Sequence, residues 1–177
     1  VPTVTATAKP LVTPVADSVA GRGKVEAFLP LETSTGKPAT TEVLRKAMLA
    51  RSVQVLDRDR IAPPEKSASI GYAECGNLDS DGHALGLRLA GQVETEVRRI
   101  VERVLALKAV GWTRVRVVTD HGWLLMPGGF DVVRLPASAT ETAWSRAAIL
   151  GEGAAPELVS VPWHWDKTVR IAMPLGA

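Results

Sequence analysis

The clearest pattern in the chain runs from about Ala84 to Ala109, where Leu89, Val93, Val97, Ile100, Val104 and Leu107 recur every three or four residues. That spacing lines one side of an α-helix with apolar groups. The other side carries Arg88, Gln92, Glu94, Arg98, Arg99, Glu102 and Arg103, a solvated charged face, and Gly111 supplies the stop. The same reading predicts a helix over about 41–51, opened by Thr40 or Thr41 as its cap. Val53, Val55 and Leu56 predict a short buried strand near 53–57, and strand character returns over 69–74. After the long helix, Arg114-Val115-Arg116-Val117-Val118-Thr119 is a β-branched run suited to an interior strand. Strand, amphipathic helix and strand make a βαβ unit, which in one sheet implies parallel strands and a right-handed crossover. The fold class expected is therefore α/β.

Elsewhere the pattern is broken. Pro2, Pro10, Pro14, Pro30 and Pro38 interrupt residues 1–40, which predicts loop with short helical turns, ordered by tertiary packing. Residues 59–66, charged and holding Pro63 and Pro64, predict a solvated loop, and further short strands are expected at 132–135, 147–150, 158–161 and 169–173. With 177 residues, 46% of them hydrophobic, the chain is long enough for one domain with a real core, and we read residues 1–177 as a single domain. It opens on Val1 and enters a Thr-rich motif at once, so further parts are expected before Val1 and after Ala177.

Charge and cysteine content narrow the classes. A net charge of +2 is no polybasic surface, so nucleic-acid binding does not follow from it. The single cysteine, Cys75, excludes an intrachain disulfide and a cysteine-based zinc site and fits a reducing, cytoplasmic location. No apolar run approaches the ~20 residues that span a bilayer, so no membrane partner is expected.

The chain has three histidines, and two stand beside carboxylates in turns that follow predicted strands: Asp79-x-x-x-His83 and Asp120-His121-Gly122. Open α/β sheets place ligands at such turns. Carboxylate and imidazole are the ligands a divalent cation such as Zn²⁺ takes where no thiolate is offered. Taken singly, each motif also reads as ordinary, a chance Asp-x-x-x-His or a turn with a helix cap. Asp81 is either a substitute for Asp79 or the cap of the helix that follows. His164, between Trp163 and Trp165, reads equally as a packed structural residue. The five tryptophans need only burial to explain them.

In combination the motifs carry a resemblance. Pro2-Thr3-Val4-Thr5, then Asp79 to His83, then Thr119-Asp120-His121-Gly122 resembles the core of the alkaline phosphatase superfamily. The text from Val118 to Gly129, with Thr140-Glu141-Thr142-Ala143-Trp144 and Val161-Pro162-Trp163-His164-Trp165, resembles the PglZ proteins of bacterial BREX phage-defence systems over nearly the whole chain. The resemblance implies a three-layer sandwich with a mostly parallel central sheet. It implies Thr5 as nucleophile, with Thr3 and Thr7 as alternatives in another register. Asp79 and His83 would hold one metal and Asp120 and His121 a second, with His164 as a further ligand. Lys9, in a Thr- and Pro-rich loop, reads either as a cation near the phosphate or as an ordinary solvated lysine. Two divalent cations, Zn²⁺ or Mn²⁺, would serve hydrolysis of a phosphate monoester or diester, lowering the pKa of bound oxygen ligands. Other defence-system proteins are the implied partners, and nucleic acid, nucleotide and phosphoprotein stay open as substrates. The sequence departs from the pattern in two places: an aspartate upstream of the nucleophile would precede Val1, and no His-Gly-Gly motif follows. Weak metal occupancy and little turnover are therefore expected of residues 1–177 alone. A competing reading is a non-catalytic interaction module whose metal site stabilises the fold.

Overall fold

A computed structural model describes residues 4–21, 28–123, 125, 127–128, 140–144, 147–151 and 159–173. The backbone groups into two units, one of Val1–Ala47, Thr119–Gly122 and Asp131–Ala177, the other of Met48–Val118 and Trp123–Phe130.

In the first unit the proline-rich start folds into short pieces. Helix α1 (Thr5–Leu11) begins after the extended Val4, whose carbonyl takes the amides of Thr7 and Ala8. Strands β1 (Val19–Ala20) and β2 (Leu31–Glu32) pair antiparallel. In the turn after β2, the Glu32 carboxylate accepts the amides and hydroxyls of both Ser34 and Thr35 at 2.7–3.1 Å. Those bonds, chiefly from the Thr35 and Ser34 side chains, hold its pKa down at about 2. Helix α2 (Thr41–Ala50) is capped by Thr40, whose hydroxyl oxygen accepts the Val43 amide at 3.4 Å, and it buries Leu44 and Met48.

Strands β5 (Thr140–Trp144), β6 (Ala147–Leu150), β7 (Val159–Pro162) and β8 (Arg170–Met173) form an antiparallel sheet in the order β5-β6-β8-β7. Strand β6 is buried at all four positions, so its apolar residues run without alternation. Val4, Phe28, Ala147, Ile149, Trp163 and Ile171 make the core of this unit. The order that the prolines deny to residues 1–40 thus comes from packing on the C-terminal strands.

The second unit holds the parallel pairing, strand β3 (Gln54–Leu56) with strand β4 (Gly71–Ala73). Gln54 fastens the loop between them, donating to Pro63 O at 3.0 Å and accepting the Glu65 amide at 2.9 Å. Helix α3 (Leu78–Leu85), a 3₁₀ turn (Gly86–Gly91) and helix α4 (Val93–Ala109) follow. Among the described residues no helix is long and apolar enough to cross a membrane.

The architecture is mixed α/β, with corrections in detail. The continuous helix expected over 84–109 is broken, because Gly86 takes φ +55°, which no helix accommodates. The strand expected at 114–119 does not form: Val117 and Val118 are 60% and 51% exposed. A β-branched run becomes a strand only where a neighbour pairs it and one face is buried, and none does so among the described residues. The expected crossover is therefore not closed, and the parallel strands are joined by a loop. Among the described strands, the β3–β4 pair alone is parallel and the larger sheet is antiparallel, unlike the mostly parallel sheet expected. Strand β5 was not expected from the pattern, and the strand expected at 132–135 lies outside the described residues.

The apolar stripe of α4 is only partly used. Leu89 and Leu107 are buried, while Val93, Val97, Val101 and Leu105 are exposed and Glu96 is 4% exposed. The helix packs along an edge turned toward Glu96 and away from the valines.

Candidate functional site

Thr5 is the first residue of α1, and its side chain is exposed. Thr7, one of the alternatives, is fully buried: its hydroxyl donates to Phe28 O at 3.2 Å and accepts the Trp163 indole N–H at 2.9 Å. With its proton committed and its oxygen enclosed, Thr7 is a structural residue. Thr3 lies outside the described residues. Lys9 is half-buried in the last turn of α1, where a cation complements the helix dipole.

Asp79 and His83 lie one turn apart on α3, with Oδ1 and Nε2 separated by 3.8 Å and both side chains well exposed. The i,i+4 spacing sets both groups on one face of the helix. The imidazole meets the Trp123 indole edge to face, ring centroids 5.0 Å apart at 79°. A Cβ on Gly82 would come within 2.4 Å of the Trp123 ring, so the close approach of indole to helix depends on glycine there. The Trp123 Nε1–H is buried without an acceptor among the described residues. Asp81 lies inside the first turn of α3, a correction to the expectation that it caps a helix; beside Asp79 it complements the positive helix end.

Asp120 and His121 occupy a half-buried turn. The Asp120 carboxylate accepts the His121 amide at 3.1 Å, and the Thr119 hydroxyl donates to His121 O at 2.6 Å. His164 packs edge to face on Trp165 at 4.9 Å. Burial, reinforced by the charge of Lys167, lowers the pKa of His164, which keeps the imidazole neutral at pH 7 and so in the form that ligates metals.

The donor chemistry of the two pairs suits a divalent cation, each pair offering one carboxylate and one imidazole. Zn²⁺ takes about three or four protein ligands, and among the described residues no group of three or more His, Cys, Asp or Glu side chains comes together. Each pair accordingly supplies a partial ligand set.

One feature of the second unit escaped the sequence reading, a half-open cleft of about 430 Å³ between α4 and the turns that leave β3 and β4. Arg58, Arg99 and Arg103 line it, with Cys75, Gly76 and Asn77 across from them. The signal lay in Cys75-Gly76-Asn77, a short glycine turn between a strand and a helix. Compared with protein-family models, with curated proteins and with solved structures, the chain matches none.

Proposed function

We propose that this chain is the metal-binding part of a PglZ-type hydrolase of phosphate monoesters or diesters, acting in the bacterial cytoplasm within a phage-defence complex. Its fold would be part of an alkaline-phosphatase-like three-layer sandwich, in which β3 and β4 belong to the parallel sheet. The observation that carries the reading is the exposed Thr5 hydroxyl in a chain that also carries two acid–imidazole pairs, one exposed and one half-buried. Asp79 and His83, Asp120 and His121, and His164 would hold the cations. Two bound divalent cations supply charge neutralisation at phosphorus and a lowered pKa for attacking oxygens.

The residues of the chain do the rest. Thr5 Oγ1 forms a bond to phosphorus as the ester oxygen leaves with a proton, and water then cleaves the phosphothreonine and restores the hydroxyl. Lys9 attracts the anionic substrate. The Trp123 contact fixes the His83 ring. The test is hydrolysis of chromogenic monoester and diester substrates by the parent protein with Zn²⁺ or Mn²⁺, beside Thr5→Ala. Loss of the nucleophile should lower turnover by about a hundredfold or more. Equal rates in the two proteins would refute Thr5 as nucleophile.

A second reading, the non-catalytic interaction module, is favoured by a specific observation: Val93, Val97, Val101 and Leu105 form an exposed apolar stripe along α4. In that case the metal pairs steady the fold, and chelation would lower thermal stability while Thr5→Ala leaves every measured property unchanged.

A further inference from the structure

The cleft of the second unit is built differently from the acid–imidazole pairs, for arginines and carboxylates line it together. It lies just beyond the carboxyl ends of both parallel strands, since Arg58 and Asp59 follow β3, which ends at Leu56, and Cys75, Gly76 and Asn77 follow β4, which ends at Ala73. Ligands of parallel α/β sheets gather at such ends. Gly76 turns the chain with φ +80°, a conformation that side chains disfavour, and leads straight into α3.

Its three guanidinium groups are each aimed by an acceptor. Arg58 Nη1 donates to Asn77 Oδ1, and Arg99 Nη1 donates to the buried Glu96 carboxylate. Arg103 Nη2 is shared between the carbonyls of Asp57 and Arg60 at 3.0 and 3.2 Å. Glu96 offsets the charge of Arg99, whereas Arg58 and Arg103 bond neutral oxygens among the described residues. Two fixed guanidinium charges thus face a cavity whose volume falls within the ~300–1,000 Å³ of small-molecule sites. Asp59 and Glu102 also line it, both exposed, and Ile61, Ile100 and Ala106 add an apolar side.

We propose that this cleft binds a phosphate monoester with a hydroxyl-bearing body, a nucleotide or sugar phosphate. The phosphate meets Arg58 and Arg103, because planar guanidinium donors match phosphate oxygens. The hydroxyls donate to Asp59 and Glu102, which would repel a bare anion but accept a polyol. The apolar side covers the uncharged part of the ligand.

Cys75 makes the proposal directly testable, since it is exposed in the cleft and no other thiol exists in the chain. Its alkylation by iodoacetamide is followed by mass spectrometry in the presence of EDTA, with a nucleoside 5′-monophosphate, ribose 5-phosphate or the unphosphorylated nucleoside added. Both phosphate esters should slow alkylation saturably and the free nucleoside should not. Arg58→Gln should raise the half-protecting concentration about tenfold, the loss of one charge-assisted bond. Protection absent with both esters, or equal with the nucleoside alone, would overturn the proposal. So would an Arg58→Gln protein of native circular dichroism that is protected as well as the parent. Because the chelator is present throughout and Thr5 takes no part, failure here leaves the hydrolase reading standing, and failure of the Thr5→Ala test leaves this one standing.

Discussion

The two units of this chain solve the problem of polar groups in opposite ways. In the first, apolar side chains close a core, and the polar atoms that enter it are paired among the described residues: Trp163 donates to Thr7, Thr7 to Phe28, and Trp165 to the Thr7 carbonyl. In the second, two three-residue strands cannot cover the helix that follows them, so valines stay in water while Glu96 is buried. A segment with surplus core fixes its polar residues as structure, and a segment short of core leaves clefts lined with charge. The same contrast recurs inside the first unit, where the exposed Thr5 keeps an available hydroxyl and the buried Thr7 does not.

Four substitutions, in three tests, break or sharpen this contrast. Trp163→Ala removes the largest fully buried side chain among the described residues of the first unit and takes the indole donor from the Thr7 oxygen, whose own bond to Phe28 O remains. A loss of about 3–5 kcal/mol in urea unfolding is expected. A loss under 1 kcal/mol would show that the core is not closed around this ring.

The second concerns acid. The folded pKa of Glu32, about 2, lies below the ~4.3 of a free glutamate. Its ionised form therefore contributes stability above that ordinary value, and the contribution fades as pH falls toward 2. Comparing thermal midpoints from pH 6 down to pH 2.5 should show part of the acid sensitivity missing in Glu32→Gln. Parallel curves for the two proteins would show that the Ser34 and Thr35 bonds do not persist in solution.

The smallest effect is expected on α4. Val97→Lys and Val101→Lys, both at positions 50% exposed, should each change stability by no more than ~0.5 kcal/mol. A cost of several times that would reveal that the stripe is covered in solution, and would favour the interaction-module reading.

Much of the architecture was legible in the residues, and the failures have physical causes. Helix α2, strands β3 and β4, and strands β6, β7 and β8 fall close to where apolar clustering and turn residues put them. Residues 114–119 have strand composition but no strand, because propensity cannot supply a neighbour. Gly86 reads as a tolerable helix glycine until its positive φ is seen, and the long helix divides there. Within the candidate site, the facing of Asp79 and His83 follows from their spacing only once α3 replaces the expected turn, and the exposure of Thr5 was not legible. The engagement of Thr7 was not legible, since its partners Phe28 and Trp163 are distant in the chain. Nor was the arginine cleft, whose members come from three separate segments and leave only the short Cys75-Gly76-Asn77 turn as a local sign.

The bond between Trp163 and Thr7 links residues 156 positions apart. During synthesis helix α1 must therefore wait, without its indole donor, until residue 163 has left the ribosome. Residues 48–118 face a shorter delay, as the bonds of Arg103 and Trp112 to the loop after β3 reach back no more than 50 positions. The order of translation thus favours maturation of residues 48–118 before α1 gains its partner.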